Sequence, residues 1–221
     1  MSSPLRVGVL ALQGDFAAHA TALAAAGEEA GLELEVRLVR RPDQLEGLAG
    51  LVLPGGESTT LLKLLALDGL DDALREFAGR GVLFGTCAGA ILLSERVENP
   101  EQSSLGLLDA VIERNSYGRQ VDGFIDELTV EDAAPEQLGP TLSGVFIRAP
   151  RFRELGAEVE VWARHGGDPV MVRQGSVLAA TFHPEMTGDS RVARCFLELA
   201  AAAVDSVRED STSEEPASSH S

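Results

Sequence analysis

The sequence predicts an open α/β fold in which a mainly parallel sheet carries helices on both faces. Three observations predict it. Short, almost wholly apolar runs such as Leu5 to Leu12, Ala49 to Leu53 and Val82 to Gly85 alternate with longer segments of helical spacing. Runs without polar alternation are strands buried on both faces, as in a parallel sheet covered by helices. Two of these runs stop at glycine-rich turns, Pro54-Gly55-Gly56 and Gly85-Thr86-Cys87-Ala88-Gly89, and ligand sites in such folds gather at the carboxyl ends of the strands.

The elements follow in order. Leu5 to Leu12 is the first strand, and the alanine-rich segment Phe16 to Ala30 is a helix closed by Gly31. Glu35 to Val39 is a second strand and Ala49 to Leu53 a third. Helical spacing covers Glu57 to Leu67 and Leu70 to Gly79, with Asp68-Gly69 between them. Val82 to Gly85 is a fourth strand, and Ala88 to Glu95 continues as a helix. Strand-like alternation returns in Val111 to Val130 and Leu142 to Ile147, while Glu158 to Arg164 with Val170 to Arg173 reads as antiparallel edge material. Ser176 to Phe182 is a buried strand ending at His183-Pro184-Glu185, and Arg191 to Val207 is a terminal helix. One domain is expected over residues 1–207. The polar, acidic segment 208–221 has nothing apolar to bury and is expected to be a disordered tail.

The 221 residues hold 18 Lys and Arg against 35 Asp and Glu, a formal charge of −17, and Lys63 is the only lysine. Such a surface repels phosphate backbones and anionic lipid, so neither nucleic acid nor membrane is expected as a partner. The first apolar run is too short to span a bilayer and reads as a strand rather than a signal peptide. Two cysteines, Cys87 and Cys195, are too few for a disulfide scaffold and fit a reducing, cytoplasmic setting.

Cys87 stands where a strand turns at once into a helix, flanked by the small residues Gly85, Ala88 and Gly89. That is the geometry of a nucleophile on a tight bend, with the start of the helix favouring negative charge on the sulfur. The same pattern suits a free cysteine buried as a small hydrophobe. A nucleophile needs a base, and His183 follows a buried strand to the same sheet edge. His220 lies in the tail, His19 within the first helix and His165 beside Gly166-Gly167. Glu185, two residues on, can reach back and orient the His183 ring. A surface histidine beside a solvated glutamate is the competing reading. No compact ligand spacing suggests a metal, and no cofactor is expected.

The other glycine turn can supply a second backbone donor, Gly56, opposite Ala88 for an oxyanion, while Glu57 and Ser58 at the following helix start can contact the polar end of an amino-acid substrate. It also suits an ordinary loop and helix cap. It lacks the Gly-Lys-Ser/Thr ending of a phosphate-binding loop. Arg114 in Arg114-Asn115-Ser116-Tyr117-Gly118-Arg119-Gln120 and Arg148 in Val145-Phe146-Ile147-Arg148-Ala149-Pro150 are cations in an acidic chain, suited to a carboxylate or to surface ion pairs.

Taken together, GTCAG around Cys87 and HPE at His183 to Glu185 resemble the class I, or triad, glutamine amidotransferases, which implies a flavodoxin-like open sheet. GVLALQGDFAAH, LVLPGGESTT, RNSYGRQ and VFIRAP narrow the likeness to the glutaminase subunits of pyridoxal 5′-phosphate synthases over roughly residues 5 to 200. The resemblance implies a Cys87–His183–Glu185 triad that releases ammonia from L-glutamine. It implies binding positions at Gly56, Glu57, Ser58, Arg114, Ile147 and Arg148, and makes Gln13 a candidate for coupling partner docking to the oxyanion turn. The implied partner is a (β/α)8-barrel synthase subunit in a dodecameric core carrying up to twelve glutaminase subunits. It combines the ammonia with ribose 5-phosphate and glyceraldehyde 3-phosphate, and its docking raises glutaminase activity. Tyr117 stands where that family usually has phenylalanine. The alternatives are a triad enzyme serving another acceptor and an interaction subunit without turnover.

Overall fold

The computed structural model describes residues 3–114, 116 and 123–213, with side chains as far as 205. In chain order it contains β1 (Leu5–Leu10), α1 (Phe16–Glu29), β2 (Leu34–Val39), β3 (Gly50–Leu53), α2 (Ser58–Leu67), α3 (Leu70–Ala78), β4 (Val82–Thr86) and α4 (Ala88–Leu93). There follow β5 (Ser94–Glu98), β6 (Leu108–Glu113), β7 (Phe124–Val130), β8 (Thr141–Phe146), β9 (Arg151–Leu155), β10 (Glu160–His165), β11 (Asp168–Gln174), β12 (Val177–Ala180) and α5 (Arg191–Ser213).

The main sheet runs β2-β1-β3-β4-β12-β11-β10-β7-β8. Its first five strands are parallel, and the remaining four join antiparallel. The parallel half has the β2-β1-β3-β4 order of flavodoxin-type sheets, with β12 as the fifth strand. Successive residues of each parallel strand point to opposite faces. Leu51, Leu53, Leu83 and Ala179 accordingly pack with α2, α3 and α4. Val7, Val9, Val52, Phe84 and Leu178 pack with α1 and α5, Phe84 meeting Phe196 at 5.9 Å between ring centroids. Each fully buried side chain of this size contributes about 1.5–3 kcal/mol, which is why a strand with no polar alternation must lie in the middle layer.

The structure differs from the expectations in four places. The helix from Ala88 ends at Leu93 rather than Glu95, because Ser94 turns its hydroxyl back onto the Ala90 carbonyl (2.9 Å) and enters β5. That strand belongs to a second, three-stranded sheet, β5-β6-β9, which was not expected. Strands β10 and β11 are interior, because the β7–β8 hairpin continues the sheet beyond them and takes the edge. The terminal helix continues to Ser213, past the predicted Val207, since extending an existing helix costs little even without apolar burial. Residues 214–221, together with Asn115 and 117–122, which include Tyr117, lie outside the described residues.

Candidate active site

The carboxyl edge of the parallel sheet brings Cys87 and His183 together. Strands β4 and β12 are parallel neighbours in which Thr86 faces Ala180, and the Cys87 N–H donates to the Ala180 carbonyl at 2.8 Å. Cys87 takes φ +49° and ψ −104°, a strained conformation for a residue with a side chain. The turn is possible because Gly89 has no side chain: a Cβ there would lie 2.0 Å from the Leu53 carbonyl oxygen. Cys87 is nearly buried, with its sulfur 3.9 Å from the Ile147 carbonyl oxygen.

From the end of β12 the chain passes through Thr181 and Phe182 to His183, whose N–H is held by the Val145 carbonyl at 2.8 Å. Its Nδ1 lies 2.8 Å from Glu185 Oε1, which leaves Nε2 to the sulfur. Gly55, from the turn after β3, lies against both groups: a Cβ there would stand 2.6 Å from His183 Cε1 and 3.4 Å from Cys87 Cβ. The site is thus built from three adjacent strand ends.

Burial opposes charge on the His183 ring, but hydrogen bonds and negative charge from Cys87 and Glu185 outweigh it and push the ring up to about 10. Burial likewise opposes charge on Glu185, yet His183 and His19 hold its carboxyl down at about 2. The arrangement therefore favours a protonated His183 ring on the Glu185 carboxylate, beside the Cys87 sulfur. Such a pair can supply a thiolate nucleophile and then a proton for a leaving group.

An open cleft of about 410 Å³ in front of Cys87 is lined by Gln13, Gly56, Glu57, Ser58, Ala88, Arg114, Ile147 and Arg148, so every expected binding position reaches it. Their roles there differ. Gln13 Oε1 accepts the Glu57 N–H at 2.8 Å and braces the glycine turn. Arg114 donates to Glu57 Oε1 at 3.1 Å across the cleft mouth. Arg148 is exposed with φ +47°. Ser58 is buried and its hydroxyl donates to Gln102 at 2.9 Å, so the side chain is already committed. Ala88 opens α4, a position whose N–H has no acceptor within its own helix.

Sequence reasoning missed two participants. Gly55 reads as loop beside the candidate donor Gly56. His19 reads as a helix residue, yet it is buried with Nε2 3.3 Å from Glu185 Oε1 and 3.0 Å from Thr86 Oγ1. Its one signal in the sequence is position: it shares a face with Leu23 and Ala26, the buried stripe of α1.

Residues 9–202 match the model of the SNO glutamine amidotransferase family. A pyridoxal 5′-phosphate synthase subunit PdxT of Thermus thermophilus is 54% identical over 197 residues, covering 88% of this chain and 97% of its own length. One of Koribacter versatilis is 51% identical over 195 residues, covering 88% and 95%. A crystal structure of a glutamine amidotransferase, 51% identical, superposes with a TM-score of 0.76 over 88% of this chain and 98% of its own. The likeness spans both glycine turns and the His183 loop, and the chain belongs to the SNO glutamine amidotransferase family.

Proposed function

We propose that the chain is a glutaminase that hydrolyses L-glutamine to L-glutamate and ammonia and delivers the ammonia to a pyridoxal 5′-phosphate synthase subunit. The observation that carries this is the juxtaposition of Cys87 with a His183–Glu185 pair at one sheet edge, facing a cleft, in a member of an amidotransferase family. The names of the relatives support the acceptor.

In this reading the Cys87 thiolate attacks the side-chain carbonyl carbon of glutamine. The Gly56 and Ala88 N–H groups stabilise the oxyanion. The His183 imidazolium gives its proton to the amide nitrogen, ammonia leaves, and a glutamyl thioester remains. His183, now neutral, takes a proton from water, and the hydroxide attacks the thioester to release glutamate and regenerate the thiolate. Glu185 keeps the ring in the orientation that both transfers need. The substrate's α-ammonium and α-carboxylate suit Glu57 and Arg114, which pair with each other across the cleft mouth. The Gly56–Ser58 backbone, Ile147 and Arg148 complete the binding surface.

The partner in this proposal is a (β/α)8-barrel subunit in a dodecameric core with up to twelve glutaminases, in a cytoplasmic setting. Among the described residues no helix is long and apolar enough to cross a membrane. Gln13, braced on the Glu57 N–H, is the proposed link from docking to the oxyanion turn. The test is pyridoxal 5′-phosphate formation by the cognate synthase from ribose 5-phosphate and glyceraldehyde 3-phosphate. Glutamine should support it only with this chain present and not with Cys87→Ala, while ammonium salt should restore product in the mutant mixture. Product from glutamine with Cys87→Ala would contradict the proposal.

A further inference from the structure

The carboxylate of the triad has two histidine neighbours. Glu185 is almost fully buried, with side-chain exposure of 2%, and both its partners converge on one oxygen. Oε1 receives His183 Nδ1 at 2.8 Å and faces His19 Nε2 at 3.3 Å, while Oε2 is buried with no hydrogen-bond partner among the described residues. His19 is itself buried, with side-chain exposure of 4%. Its Nε2 also lies 3.0 Å from Thr86 Oγ1, on the residue immediately before Cys87.

The tautomer follows from the partner. A bare lone pair on His19 Nε2 would confront a carboxylate oxygen at 3.3 Å, whereas an N–H there is attracted to it and can be shared with the Thr86 hydroxyl. We infer that His19 is a positioning residue: its Nε2–H fixes the Glu185 carboxylate, and through it the His183 ring, from the far side of the site. Among the described residues His183 Nδ1 is the hydrogen-bond partner of Glu185, and His19 Nε2, hydrogen-bonded to Thr86 Oγ1, is the second charged or polar group held against its Oε1. Without the His19 donor, a buried carboxylate retains one partner, and the imidazole it orients gains freedom relative to the Cys87 sulfur.

The placement of α1 reinforces the point. Asp15 caps the helix, accepting the Ala18 N–H at 3.1 Å, and sets His19 about one turn in. Two residues before that cap, Gln13 holds the glycine turn. One short stretch of chain, from Gln13 to His19, thus touches both the oxyanion turn and the back of the triad.

The inference rests on the glutaminase reading for its kinetic readout, so the experiment includes one that does not need glutamine. His19→Leu removes the donor at similar bulk, and His19→Gln returns an N–H near the Nε2 position. Each variant is assayed for iodoacetamide alkylation of Cys87 in the isolated chain, and for kcat and KM with glutamine in the presence of the cognate synthase. Burial pushes the other thiol, Cys195, up to about 12, so alkylation reads Cys87. His19→Leu should slow alkylation and lower kcat roughly 10-fold, the scale of one lost hydrogen bond to a charged group, with KM within about twofold. His19→Gln should recover most of both. Wild-type rates in His19→Leu would overturn the inference, and so would equal losses in both variants, which would assign the effect to packing. If the leucine variant does not fold, His19→Asn, whose shorter amide cannot reach Glu185, takes its place in the comparison. Absence of turnover in the wild type would count against the glutaminase reading alone, leaving the alkylation series to decide the role of His19.

Discussion

Ala180 faces Thr86 in the parallel register of β12 and β4, and its carbonyl accepts the N–H of Cys87 at 2.8 Å. The separation of the thiol from the His183 loop is therefore set by sheet hydrogen bonds rather than by side-chain contacts. Cys87→Ala should leave the fold intact, changing stability by about 1 kcal/mol or less, the scale of one small buried group, while abolishing glutamate release. Urea denaturation beside a turnover assay checks this, and a loss above about 3 kcal/mol would mean that the thiol holds the turn together.

Glu185 contributes stability that depends on acid. Its carboxyl is held at about 2 in the folded protein, against about 4.5 when unfolded. The contribution is complete above the unfolded value and is lost as pH falls from about 4.5 toward 2. It amounts to at most about 3 kcal/mol. Other carboxylates titrate in the same range, so the comparison that matters is with Glu185→Gln. Denaturation at pH 6 and pH 3 should show a steeper loss in the wild type, and parallel losses would contradict the assignment. At neutral pH the same variant should turn over more slowly than wild type but faster than Cys87→Ala, because nucleophile and base remain.

Gly55→Ala should damage catalysis without touching a charged group. The added Cβ would fall 2.6 Å from His183 Cε1, so the ring or the turn must move. Displacements near 1 Å at a reacting group can cost roughly 100-fold in rate. The expected result is a kcat lowered at least about 10-fold in a protein that melts close to wild type. An unchanged kcat would show that the ring has room that the geometry denies it.

Arg114 and Glu57 should act on binding more than on chemistry. Arg114→Ala and Glu57→Gln each remove a charge matched to one end of a zwitterionic amino acid, and KM for glutamine should rise roughly 10-fold or more with a smaller change in kcat. A fall in kcat at unchanged KM in both variants would place them in the chemical step.

The parts of this fold that sequence reveals are those where every residue answers to burial. Leu51 to Leu53 or Leu83 to Phe84 can be apolar throughout only in a sheet covered on both faces, and the strand-to-helix turns then locate Cys87 and His183 at its edge. What escaped is set by pairing over distance. Nothing local distinguishes Ser94 to Glu98 from the end of a helix, since β5 forms only because β6 lies alongside it. The interior position of β10 and β11 depends on a hairpin from earlier in the chain. His19 looked like one polar residue in an alanine-rich helix, because its partner Glu185 is 166 positions away and only the packing of α1 on the sheet joins them.

In the proposed reaction Cys87, served by His183 and Glu185, cleaves the amide of glutamine for a synthase partner. Glutamate release from L-glutamine by wild type and Cys87→Ala, each with and without the cognate synthase subunit, decides whether it does. Release that rises strongly with the synthase and vanishes in the variant is the predicted result. No release from folded, synthase-bound wild type, or undiminished release from Cys87→Ala, would contradict it.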